Sequence, residues 1–258
     1  MKKIISIFSC LLFLSLTSCG LFELDNYDEP NATVSGKIID SGTNQPMNLE
    51  CYTQGNNRFG VLTVVEQEWD AVAEQYWNVK FNGEYTNNRV FSGKYVMSTK
   101  YLPCYLDEKS FSLSAGKNNV DMTVTPYARV VNPTFTYDAA TKKIKATFKI
   151  ELGDKTKANV ISQVKLCAYT DCHVCNNFNL CKDDPGASAS NVTEGETITL
   201  EIDTTLAANA EEFKYVRKHY LRIAVLANGN GFNTASLYNF SDTYFMTSDF
   251  STFDKFVW

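Results

Sequence analysis

The chain reads as an all-β protein made of two β-sandwiches in tandem. Three observations lead there: short runs of alternating apolar and polar residues recur from Ala32 to Met246, tyrosine and phenylalanine number 14 and 17, and helix-type spacing is scarce. Aromatic and β-branched residues suit a pleated, half-buried surface, and alternation sends one set of side chains to a core and the other to water. About 230 residues follow an apolar leader, long for one domain by the usual ~100–200 residues each, so two are expected.

Residues 1–18 are that leader. Lys2 and Lys3 precede an apolar and hydroxyl run from Ile4 to Leu16, and Leu16-Thr17-Ser18-Cys19 closes it. The order is that of a secretory signal, too short for the ~20 apolar residues of a spanning helix. A cysteine at the cleavage point resembles the lipobox of bacterial lipoproteins, in which the thiol receives a diacylglycerol. Cys19 is therefore expected to be a lipid anchor in the outer membrane and not a catalyst. Residues 19–30, with Glu23, Asp25, Asp28 and Glu29, read as an acidic linker that holds the folded part off the lipid. In Bacteroidota-type lipoproteins such a stretch resembles the signal for display on the cell surface. Beyond the leader, 22 of the 24 basic residues face 29 acidic ones, a net charge of about −7 that argues against nucleic acid as a partner.

Residues 31–126 form the first expected sandwich. Strands are read at Ala32–Asp40, Leu49–Thr53, Gly60–Val65 and Tyr76–Phe81, and Asn82-Gly83 supplies a tight turn because both residues tolerate positive φ. Tyr85, Val90, Phe91, Gly93 and Tyr95 continue the pattern, and Val120, Met122 and Val124 alternate with polar neighbours. Residues 127–258 form the second. Thr134–Tyr137 opens it after Pro133, and Ile144, Ala146, Phe148, Ile150 and Leu152 give the cleanest alternation in the chain, a half-buried antiparallel strand. Val164, Leu166 and Ala168, then Ile198, Leu200 and Ile202, repeat it. The alanine- and glutamate-rich stretch 206–218 suggests a short helix, and strands return at Tyr220–Ala227 and Tyr238–Met246. Phe250, Phe253 and Val257 recur at helix-like spacing in a tail expected to dock on a sandwich end.

Val34-Ser35-Gly36-Lys37-Ile38-Ile39-Asp40, Gln45-Pro46, Phe81-Asn82-Gly83-Glu84-Tyr85 and Phe91-Ser92-Gly93-Lys94-Tyr95, in that order, resemble the carboxypeptidase-regulatory-like, transthyretin-type sandwich. That fold usually binds or spaces rather than catalyses. Tyr220 to Val225, followed by Asn228-Gly229, resembles fibronectin-type or immunoglobulin-like sandwiches. With the entry segment Leu24 to Thr33, the whole is similar to a two-domain Bacteroidota lipoprotein family of unknown function, whose relatives are typically encoded beside starch-utilisation-type glycan importers. The resemblance implies a surface glycan-binding or accessory role, with importer subunits as partners.

A cysteine-rich insertion at residues 167–190 departs from that family. Cys167, Cys172, Cys175 and Cys181, with His173 among them, are open to two disulfides, to zinc ligation, or to a redox pair at Cys172 and Cys175. An oxidising, exported setting favours disulfides, and no metal site is assigned. Cys51 and Cys104, the thiols of the first half, are available to pair with each other.

Chemistry is thinly signposted. His219, beside Lys218 at the head of a strand, reads as a packed or solvated imidazole, no glycine-rich phosphate loop is present, and no cofactor is implied. Asp70 with Glu74, or Asp183 with Asp184, are acid pairs whose separation a sequence does not set. Sugar recognition needs flat apolar faces flanked by amides and carboxylates. Trp69, between Gln67 and Asp70, with Tyr76 at the next strand and Phe232 on a glycine- and asparagine-rich loop, are the candidate contacts, while Trp77 is assigned to the core. The reading is a non-catalytic surface lipoprotein that binds oligo- or polysaccharide; the alternative is an adhesin or fimbria-like structural protein.

Overall fold

The computed structural model describes residues 29–51, 60–68, 72–157, 160–228 and 237–257. Cys19, Trp69 and Phe232 lie outside the described residues. In chain order, the first sandwich comprises β1 (Ala32–Asp40), β2 (Gln45–Pro46), β3 (Val61–Glu66), β4 (Glu74–Asn78), β5 (Glu84–Val90), β6 (Gly93–Tyr101), β7 (Glu108–Leu113), β8 (Gly116–Asn119) and β9 (Met122–Val124). β1 organises one sheet, running antiparallel to β2 and β5 and parallel to β8 and β9. The other sheet runs β4-β3-β6-β7. Val34, Ile38, Leu62, Val64, Met97 and Trp77 fill the space between them, and Trp77 packs on Tyr85 and Tyr95 with ring centroids 6.1 and 6.2 Å apart.

Gly36 is where β1 has no room for a side chain. It lies opposite Tyr85, whose hydroxyl donates to the Val120 carbonyl, and a Cβ at 36 would stand 1.9 Å from that carbonyl oxygen. The Asn82-Gly83 turn forms as its sequence predicts, with Gly83 at φ 78° and its N–H donating to the Lys80 carbonyl at 2.9 Å. The strand expected over Leu49–Thr53 is absent from its described part. Leu49 N donates to Phe81 O at 2.8 Å, but the Leu49 carbonyl accepts from Arg222 Nη1 at 3.0 Å, so a side chain replaces a strand neighbour there.

The second sandwich comprises β10 (Ala128–Asp138), β11 (Lys143–Leu152), β12 (Val160–Tyr169), β13 (Ser188–Val192), β14 (Ile198–Asp203), helix α1 (Ala207–Phe213), β15 (His219–Asn228), β16 (Asn239–Phe240), β17 (Tyr244–Met246) and β18 (Phe253–Lys255). One sheet runs β10-β11-β14; the other runs β13-β12-β15-β17-β18, with β16 also on β15. Ile144, Phe148, Ile150, Val164, Leu166, Ile202, Leu221, Ile223 and Val225 meet between them. β10 starts well before Pro133 because a register shift between Val131 and Thr134, with Asn132 at φ 50°, carries the proline that cannot donate to a ladder.

Three further expectations shift. The helix ends at Phe213 rather than 218, and Phe213 lies against His219 at a 4.6 Å ring separation. The strand expected at Tyr238–Met246 breaks into β16 and β17, because at Ser241 the side-chain Oγ accepts from Ile223 N at 3.0 Å in place of the carbonyl, which Arg222 Nε takes at 2.9 Å. The tail spaced like a helix is instead β18, antiparallel to β17, with Phe250 stacked on Tyr137 at 4.4 Å. In so short a segment, an open sheet edge outweighs periodicity.

Gly36→Ala is expected to cost about 3 kcal/mol, because backbone rather than a flexible side chain must move aside. A thermal unfolding midpoint equal to that of the parent chain would contradict the packing. His219 is 1% exposed, and burial holds its pKa below the ordinary value of 6.5. Above that value both states are neutral. As the pH falls through it, the unfolded chain takes up the proton first, so stability is lost on the acid side. Urea midpoints at pH 8 and pH 5 should show His219→Gln flattening this part of the decline.

Candidate functional site

β15 carries its core residues at Leu221, Ile223, Val225 and Ala227, so Tyr220, Arg222 and Ala224 point to the other face of the sheet. That face is covered rather than wet. Val174, Cys175 and Phe178 of the insertion pack on it, joined by Cys51 from the first sandwich and by Tyr238 and Phe240. Arg222 is 0% exposed in consequence. Its guanidinium spans the junction, donating Nε to Ser241 O at 2.9 Å, Nη1 to Leu49 O at 3.0 Å and Nη2 to Phe81 O at 3.5 Å, over the Phe240 ring at 4.6 Å. Two of those carbonyls belong to the first sandwich. Asn239 does the same work with a neutral group: Oδ1 accepts from Ala128 N at 3.1 Å, and Nδ2 donates to Pro103 O at 2.8 Å.

Beside this seam a cleft of about 400 Å³ opens between the sandwiches. Asp40, at the end of β1, receives Arg129 of β10 through two bonds, Nε to Oδ2 at 2.7 Å and Nη2 to Oδ1 at 2.6 Å. That hydrogen bonding raises the Arg129 pKa against the opposing effect of burial. On the other wall Lys255 pairs with Asp242 at 2.6 Å, and Asn48 Nδ2 donates to Asp242 Oδ1 at 3.2 Å. Asn82 and the half-buried Phe256 also line the cleft, with Phe256 edge-on to Tyr220 at 5.5 Å. The carboxylates are thus already held in ion pairs. The cleft offers amides, a lysine, carboxylate edges and two aromatic rings, the buried Phe240 and the half-buried Phe256, a set that can bond hydroxyls and cover an apolar ring face.

All six described cysteines, Cys51, Cys104, Cys167, Cys172, Cys175 and Cys181, are free thiols. The expected Cys51–Cys104 pairing is not formed, because the two lie in different surroundings. Cys104 is buried in the first core, bridged to Pro126, and burial pushes its thiol up to about 12; Cys51 packs with the insertion of the second sandwich. The insertion does not close on itself with two disulfides either. Cys181 belongs to the second core, Cys167 and Cys175 to the junction, and Cys172 stands at the surface with Asp171 and His173. Those last three each place one donor atom within 4.8 Å of the others and could hold a cation; the His173 ring also meets Phe81 edge-on at 4.7 Å.

Of the candidate sugar contacts, Tyr76 is the described one. It lies half-buried on the edge strand β4, its hydroxyl bonded to Glu74 and its ring tilted against Tyr101 at 6.3 Å, away from the residues that line the cleft. Arg222, Asn239, Asp242 and Phe256 escaped the sequence reading. Arg222 sits where strand alternation sends a side chain to water, and Asp40 and Arg129 are distant in the chain, so only the faint oddity of an arginine inside the apolar run Leu221–Val225 could have pointed to the seam.

No protein-family model and no curated protein matches the chain. Solved structures do. A "putative carbohydrate binding protein" from Bacteroides uniformis aligns at 26% identity and a TM-score of 0.72, over 84% of this chain and 99% of its own. DUF3823 family proteins from Parabacteroides merdae and Bacteroides ovatus share the fold at 22% and 17% identity, with TM-scores of 0.66 and 0.64, over 84% of this chain and 98% and 99% of theirs.

Arg222→Leu keeps an apolar contact with Phe240 but leaves the Leu49 and Ser241 carbonyls without a donor, while Phe81 O still accepts from Leu49 N. It is expected to lower unfolding stability by about 3 kcal/mol in chemical denaturation. An unchanged midpoint would show that the seam does not depend on the guanidinium.

Proposed function

We propose that this protein is a non-catalytic, lipid-anchored protein of the outer cell surface, and that it binds oligo- or polysaccharide in the cleft between its sandwiches as an accessory to glycan import. The observation that carries the reading is the cleft lining: Asn48, Asn82, Asp242 and Lys255 around the ring of Phe256. Amides and paired charges bond hydroxyls in fixed directions, while the ring covers the C–H face of a pyranose. Binding suits this arrangement better than proton transfer, since Asp40 is held by Arg129 and Asp242 by Lys255. The structural likeness to a protein called carbohydrate-binding supports the same choice. Cys19 as the anchor, the acidic linker at residues 19–30 and the placement beside importer subunits come from the sequence and its resemblance.

Affinity electrophoresis of the chain through gels containing single polysaccharides tests the site. Retardation by at least one polymer is expected, with Phe256→Ala weakening it about tenfold, close to 1.4 kcal/mol. Trp69→Ala is the comparison, because it asks whether the sequence's own candidate contributes. Migration unaffected by every polysaccharide would end the glycan reading.

A further inference from the structure

The junction also holds two thiols that sugar binding does not use. Cys51 follows the Leu49 segment of the first sandwich, and Cys175 lies in the insertion of the second, in one apolar cluster with Cys167, Val174 and Phe240. Cys51 Sγ is 3.7 Å from the carbonyl of Val174, the residue before Cys175, and 4.0 Å from Arg222 Nη1. Phe178 N donates to Cys175 Sγ at 3.3 Å, and Cys51 and Cys175 lie close enough to act on each other's ionisation. Cys175, whose sulfur receives an amide N–H in a cluster that the Arg222 guanidinium adjoins through Cys51, has what a thiolate needs, and the thiolate is the reactive form.

The neighbouring groups divide the roles. The nearby Cys51 thiol, helped by Glu50, holds Cys175 below the ordinary thiol range, and Cys175, with burial, holds Cys51 above it. Burial pushes the Glu50 carboxyl up to about 9, so at neutral pH it acts as a donor and not as a competing anion. Cys167 is set apart: burial keeps it a thiol, and its backbone is locked in the β12–β15 ladder opposite Arg222. Cys172 is raised by burial and by Asp171 beside it.

We propose that Cys51 and Cys175 are a redox-active pair that a hydroperoxide converts to a disulfide joining the two sandwiches. With hydrogen peroxide, the Cys175 sulfur attacks one oxygen and the O–O bond breaks. The departing hydroxide takes up a proton and leaves as water, and Cys175 becomes a sulfenic acid. Cys51 sulfur then attacks the Cys175 sulfur, the S–O bond breaks, and the hydroxyl leaves with the Cys51 proton as a second water. Two thiols have lost two electrons, and the peroxide has gained them. The bond would clasp the segment that supplies the Leu49 carbonyl to the insertion that covers Arg222, constraining the unfolded chain over a long loop.

The test is independent of any glycan. The reduced full chain is treated with hydrogen peroxide, digested without reductant and mapped by mass spectrometry. The expected product is a Cys51–Cys175 cross-linked peptide, reversed by dithiothreitol and accompanied by a rise in melting temperature of about 5 °C. Cys51→Ser should instead leave Cys175 as a sulfenic acid that dimedone labels; because the map of the parent chain needs no variant, a misfolded Cys51→Ser would not blunt the test. Cross-links from Cys175 to Cys167 or Cys172, or oxidation of other cysteines while Cys51 and Cys175 stay reduced, would overturn the proposal.

Discussion

A single buried guanidinium sets the constraint on which the junction rests. Arg222 has no exposed surface, and its donors reach Leu49 and Phe81 in one sandwich and Ser241 in the other. A desolvated cation is tolerated only where carbonyl dipoles replace its water, so the two bodies have one favourable register, the one that brings all three carbonyls to the fork. Apolar packing alone would permit sliding. The directional bonds of Arg222, with those of Asn239 to Ala128 and Pro103, do not.

The cleft follows from that fixed register. Its walls belong to different sandwiches, Asp40, Asn48 and Asn82 on one side and Arg129, Asp242, Lys255 and Phe256 on the other, and the ion pairs Asp40–Arg129 and the contact Asn48–Asp242 cross it. The Asp40–Arg129 pair is bidentate and largely buried, a geometry in which charge adds orientation as well as attraction. The first sandwich presents Asp40 rigidly because β1 is gripped on both sides, with Gly36 allowing Tyr85 and the Val120 backbone to close against it. A motif that belongs to packing thus positions a residue of the site.

The cysteine-rich insertion changes meaning once it is placed. In the chain its four thiols look like one cluster; in space they serve two cores and a surface turn. Its structural task is to cover the outer face of β15, which turns a half-exposed strand into one buried on both faces. That covering is what forces Arg222 to find carbonyls in the neighbouring sandwich.

Much of the fold was legible because a strand's two-residue period is local. β1, β11, β14 and β15 stand where alternation predicts them, and the Asn82-Gly83 turn forms for the conformational reason that predicts it. The composition also indicated an all-β chain whose aromatic residues fill pleated surfaces. Leu49–Cys51, the tail at Phe253 and the partner of Cys51 were not legible, since each depends on a group more than a hundred residues away or on a sheet edge that exists only after folding. The same holds for the cleft. Sequence order decides which side chains face in or out of each sheet, but whether an outward face meets water or another sandwich is decided only by tertiary packing, because burial belongs to the assembled surfaces and not to the strand.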